Sequence, residues 1–348
     1  MRSDFEVNVI NNTNNFIFAW MSWFGRIRRY ARRVKVIYVR SFIHVTRKIK
    51  LPGFQGISLW EIIFFFIYSL KKGLIGMRAG AVSFHFFLAL IPFGLVLVTL
   101  TTYIPGIDLE ADIAPVISAL VPEMLFERFM SGIHEYENST VRSLLSFGFV
   151  FALYFTSNGF SQLIKAFNIS KMQFEKREKW WAVRLLSISF VLVFIVAIMM
   201  TFYLLILVRK GFVALAEQSD FVKDYFNQIY GATDFLFLSF LVYCGISLMY
   251  YFGPKQRKGF RFFSPGATLA FVLVMIISIL YELYISSYAT YNDLYGSLGT
   301  IIMIMLWVYM ISFALLIGFE LNASIHGAMA QKRLADMDEL EKRYEKKN

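Results

Sequence analysis

Six polar side chains stand inside or at the ends of long apolar runs: Arg78, His85, Asn158, Glu282, Glu320 and Asn322. Ionisable groups are costly in hydrocarbon, so each is a candidate for a substrate path, a proton relay or a contact between helices. The stretch LIGFELNA (316–323) poses the choice most sharply, because its carboxylate and amide close a long uncharged run.

Hydrolytic chemistry would need other residues. Cleaving a phosphodiester takes a metal cluster or an acid–base pair that activates water. The four histidines, His44, His85, His134 and His326, fall in four separate segments, with no HExxH or HxHxDH spacing and no phosphate-cradling glycine loop. The expectation is therefore no catalytic residue, no metal and no cofactor. The single cysteine, Cys244, excludes an intrachain disulfide framework and reads as a small buried hydrophobe.

The elements that carry these groups follow from composition. Of 348 residues, 57% are hydrophobic and only 17% charged, with a mean hydropathy of +0.56. Soluble domains carry about a quarter charged residues. The chain thus reads as an all-α polytopic membrane protein with six transmembrane helices. The expected spans are 79–103, 144–164, 185–208, 235–253, 266–289 and 297–325, each near the twenty or so residues that cross a bilayer. The shorter run 57–70, with Glu61 inside it and Lys71-Lys72 after it, is expected to lie at the interface.

Loop charge sets the orientation. Loop 104–143 holds seven acids against Arg128 and Arg142, and 209–234 holds four acids against three bases. Loop 165–184 has six basic residues, and 254–265 has four with no acid. Basic loops face the cytoplasm, which places both termini there. Ahead of the spans, residues 26–50 carry ten Lys or Arg and no acid. Ile27, Tyr30, Val34, Tyr38, Phe42, Val45 and Ile49 recur through them at helical steps, the pattern of an amphipathic helix on an anionic leaflet. That membrane setting is preferred over nucleic acid as its partner. FIFAWMSWF (16–24) lacks the basic residues and cleavage site of a secretory signal. Three parts are expected: a basic segment 1–56, a membrane domain 57–326 and a charged tail 327–348. The long external loop 104–143 is the expected place for protein partners.

Depth can be counted along each span. Glu320 lies 22 residues beyond Leu298, roughly 33 Å against a hydrocarbon core of about 30 Å. Glu320 and Asn322 are therefore expected at the cytoplasmic edge, as a polar helix end docking on its neighbours rather than a translocation site. Glu282 falls near the outer edge among Tyr281, Tyr284, Tyr288 and Tyr291, where a solvated carboxylate in an aromatic belt is the simple reading. Arg78, His85, Pro92 and Thr99 recur every seven residues on one face of the first span. His85 and Asn158 come to similar depths on consecutive spans, so an interhelical hydrogen bond between them is expected.

Four stretches carry a resemblance. MRAGAVSFHFFLALIPF (77–93), LIKAFNISK (163–171), FFSPGAT (262–268) and YGSLGTIIMIMLWVYMISFALLIGFELNA (295–323) together resemble the YihY/virulence factor BrkB family. The resemblance covers about residues 60–326 and marks Pro92, Pro265, Gly266, Tyr295, Gly296, Trp307 and Gly318 as structural motif positions. It implies a bacterial inner-membrane protein of about six spans that exports or handles a lipid-like envelope substrate. The family also carries an older label, tRNA-processing ribonuclease, which the residues above do not support. A non-transporting membrane scaffold is the alternative from another class.

Overall fold

In a computed structural model of the chain, the described residues are 46, 49, 53, 56–101, 127, 130, 131, 145–169, 179–216, 220–254, 262–287 and 297–345. The basic segment 26–50 and the loop 104–143 lie almost wholly outside them, as do Tyr295 and Gly296. Two compact units divide the chain, residues 1–64 and 65–348. Among the described residues the regular structure is entirely helical.

Helix α1 (Leu59–Lys72) begins just inside the first unit. Ser58 caps it, its Oγ accepting from Glu61 N at 3.3 Å, in the Ser-x-x-Glu arrangement that marks helix starts. In the second unit α1 ends where Gly73 N donates to Ser69 O at 2.7 Å. Leu74 then adopts a left-handed φ of 49°, a conformation that costs a non-glycine residue about 1 kcal/mol or more. The chain turns through 66° at this break before α2 starts.

Six helices follow: α2 (Ile75–Thr101), α3 (Leu145–Asn168), α4 (Trp180–Ala216), α5 (Asp220–Phe252), α6 (Pro265–Ser287) and α7 (Ser297–Glu345). Each of α2 to α6 packs on the next in chain order, α6 packs on α7, and α7 closes the succession by packing on α2. The core between them is apolar and aromatic. Phe167 stacks on Phe319 with centroids 4.1 Å apart, and Phe160 meets Phe86, Phe190 and Phe194. Outward, α4 leaves Leu185, Leu192, Val196, Met200 and Leu207 exposed, as a helix must that faces lipid instead of water.

The six expected spans coincide with α2 to α7, but they are not equally apolar. By length and composition four helices qualify to cross a membrane: those at Trp180–Phe212, Ala232–Phe252, Pro265–Tyr284 and Ile301–Tyr344. The bent pair α1–α2 makes a fifth if it counts as one span. Helix α3 falls outside that set because Thr156, Ser157, Asn158, Ser161 and Gln162 dilute it, and most of these are buried against protein. Helix α7 runs on past the motif without a break and is 49 residues long in all, about 74 Å at 1.5 Å per residue. Its last turns are exposed and charged, with an Arg343–Glu339 pair at 3.2 Å of the kind that adds only tenths of a kcal/mol.

Candidate functional site: a buried carboxylate clasp

The motif Gly318–Ala323 is the middle of a continuous helix, and nearly every residue in it has an assigned partner. Gly318 meets α6 at Gly266, where the two backbones touch. A β-carbon on Gly318 would fall 2.5 Å from Gly266 O, 2.6 Å from Ala270 Cβ and 2.7 Å from Tyr250 Oη. Such close crossings are how small residues draw membrane helices together. One turn away, the Tyr250 hydroxyl donates to Leu315 O. Phe319 fills the space beside Phe167 and Tyr250.

Glu320 is completely buried. Its Oε1 pairs with Arg78 Nη2 near the start of α2, and its Oε2 accepts from Ser69 Oγ in the last turn of α1. Arg78 also donates from Nη1 to Ala166 O on α3 at 3.1 Å, while its Nε has no hydrogen-bond partner. One carboxylate thus holds both sides of the α1–α2 break, and the guanidinium passes the connection on to α3. A buried pair of this kind offsets a large desolvation penalty only through good geometry and added hydrogen bonds. Ser69 and Ala166 supply those.

Asn322 does a different job. Its Oδ1 accepts from Gly266 N at 2.8 Å and its Nδ2 donates to Ser264 Oγ at 3.0 Å. Ser264 Oγ in turn accepts from Ala267 N at 3.2 Å, and Pro265 occupies the first helical position, where no amide hydrogen is needed. The start of α6 is therefore capped twice, by its own serine and by an amide from α7. Asn322→Ala is expected to remove about 1 kcal/mol of stability, the ordinary value of a cap. It should show as a lower unfolding midpoint in detergent with helix content unchanged by circular dichroism.

The other expected residues part company. His85 Nδ1 lies 2.8 Å from Ala81 O in its own helix. A carbonyl can only accept, so that nitrogen carries the hydrogen. Asn158 Oδ1 accepts from Arg184 Nη1 instead, and no hydrogen bond joins it to His85. Depth alone had suggested that pair; the faces of the two helices decide otherwise. Glu282 is exposed. Its neighbour Tyr281 leaves the aromatic belt: it is buried, and its hydroxyl donates to Met303 O on α7. Pro92 sits within an uninterrupted α2. Trp307 packs beside Tyr281 and Met303, its indole nitrogen without a partner. Cys244 is half-buried. Ser69, Ser264, Tyr250 and Arg184 belong to these contacts but were not singled out from sequence. Ser264 alone carried a signal, as the serine before Pro265 at a helix start.

Residues 66–342 match the profile of the virulence factor BrkB family. The chain belongs to that family. Among curated relatives, it is 30% identical over 273 residues to the ribonuclease-like protein YfkH of Bacillus subtilis, a match covering 77% of this chain and 94% of that one. It is 34% identical over 85 residues to a UPF0761 membrane protein of Idiomarina loihiensis, covering 24% of this chain and 30% of the relative. No solved structure matches. The family match spans Ser69, Arg78, Ala166 and Glu320, so the whole clasp lies within the BrkB region. With several apolar helices and relatives named as membrane proteins, this BrkB-family chain is a membrane protein.

Proposed function

We propose that this protein is a transporter or exporter of a lipid-like or amphipathic envelope substrate in the bacterial inner membrane, with both termini in the cytoplasm. The observation that carries the reading is where the polar contacts gather. The Arg78–Glu320–Ser69 clasp and the Asn322–Ser264 cap both sit where α2 and α6 begin and where α3 ends. The exposed flanks of the helices are apolar. An ion path needs charged relays through the midplane, whereas an acyl chain needs an apolar one. The relative's ribonuclease-like name is not extended to this chain. Among the described residues no group of three or more His, Cys, Asp or Glu is placed to hold a metal, and Glu320 has both oxygens engaged.

A strain lacking the protein is expected to show a changed distribution of aminophospholipid between leaflets, or a changed amount of exported envelope lipid. The first is read by labelling whole cells with a membrane-impermeant amine reagent, the second by mass spectrometry of the envelope. Unchanged values in both would remove the proposal.

A further inference from the structure

Helix α4 opens with a group of side chains that the clasp does not use. Arg184, in its second turn, donates from Nη1 to Asn158 Oδ1 at 2.5 Å and lies 4.7 Å from the centroid of the Tyr154 ring. One side of the guanidinium is thus fixed by an amide and its plane by an aromatic ring, but neither partner is an anion. Lys179 Nζ stands 5.8 Å from the Trp181 ring. Among the described residues no carboxylate pairs with Arg184 or Lys179, and the first turn of α4 contains no acid. Among the described residues, most of the five guanidinium donors have no acceptor.

The surroundings say what that is. Trp180 and Trp181 are 80% and 53% exposed, and tryptophan collects at the headgroup level of a bilayer. Trp181 and Arg184 are three residues apart on one helix face, close enough for neighbouring side chains to share a ligand. Along α4 from Trp181, the exposed residues Leu185, Leu192, Val196, Tyr203 and Leu207 recur at alternating steps of four and seven, which gives one continuous apolar stripe. A pair of cations beside aromatic rings at the head of an apolar stripe matches a molecule with a phosphate at one end and hydrocarbon below it.

We propose that Arg184, Lys179 and Trp181 bind the phosphate headgroup of an anionic phospholipid, whose acyl chains run down the exposed stripe of α4. Arg184 hydrogen-bonds the phosphate oxygens, held in place by Asn158 and Tyr154, and Lys179 adds the second charge. This site goes beyond the transport reading, because it requires that lipid is bound and not that it is moved.

The experiment uses the full chain, delipidated in neutral detergent and titrated with phosphatidylglycerol or phosphatidylcholine, with retained lipid counted by native mass spectrometry. Soluble glycerol phosphate is the competitor in a third arm. Phosphatidylglycerol is expected to be retained about tenfold more tightly than phosphatidylcholine, a factor worth about 1.4 kcal/mol. Arg184→Gln should abolish that preference, and glycerol phosphate should not displace the lipid. The exposed double variant Lys179→Gln, Trp181→Leu should lower the preference several-fold. It serves as the test if Arg184→Gln fails to fold. Equal retention of the two lipids, or a preference that survives in the variants because residues 26–50 supply it, would overturn the site. Displacement by glycerol phosphate would mean that a free phosphate ester is the ligand, and would overturn the lipid assignment.

Discussion

Glu320→Ala is expected to lower the free energy of unfolding by roughly 3–5 kcal/mol, the range seen when one member of a buried ion pair is removed. The size comes less from the lost attraction than from what remains. Arg78 is itself only 6% exposed, and without the carboxylate its charge stays buried beside a single carbonyl, Ala166 O. Ser69 loses its acceptor as well, so the last turn of α1 is released from α7. Glu320→Gln keeps the shape and can still accept from Ser69, but it too leaves the guanidinium uncompensated. It should fall between wild type and alanine. Unfolding midpoints of the three proteins in one detergent check the order. Limited proteolysis near Gly73–Leu74 should quicken in step with the loss of stability.

The second large effect lies at the contact of α6 with α7. Gly318→Val places branched carbon where Gly266 O, Ala270 Cβ and Tyr250 Oη already stand within 2.7 Å of a β-carbon. Two of the three are not flexible chain ends: one is backbone and one is a methyl fixed to backbone. Relief requires the helices to separate, which also pulls Asn322 from Gly266 N and Tyr250 from Leu315 O. Overpacking of this kind costs about 1–3 kcal/mol and at times more. The upper end is expected here, since hydrogen bonds are lost with the packing. Gly266→Val should behave the same way, because its β-carbon would meet Gly318 O and the Asn322 amide. The double variant should therefore lose less than the two single losses added, as both strain one contact. Yield of monodisperse protein and the unfolding midpoint measure it.

Helix positions were legible in the sequence because apolar length is a direct consequence of the bilayer, and the six expected segments coincide with α2 to α7. The docking was legible too: Glu320 and Asn322 were expected to dock on neighbouring helices, and both do bond to other segments. What could not be read was which helix they meet. Periodicity reports a face within one helix, as it grouped Arg78 with His85, Pro92 and Thr99. It does not say that Arg78 faces a carboxylate 242 positions away. Arg184 was hidden for another reason. Counted as one more base in the loop 165–184, it served to orient the chain, whereas it belongs to the second turn of α4. Ser69 was masked by the apolar run around it. The polar residues of LIGFELNA look like a boundary in the sequence, while Glu320 and Asn322 bond to other segments and the helix runs on to Glu345.

The measurement that bears most directly on the clasp is a double-mutant cycle on Arg78 and Glu320, using Arg78→Met, Glu320→Met and the double variant, each unfolded in the same detergent. Each single change strands one buried charge, and the double change strands none. The double variant is expected to be more stable than either single one, with a coupling of several kcal/mol. If the two losses simply add, Arg78 and Glu320 do not act as a pair, and the buried clasp at the α1–α2 break is not what holds these helices together.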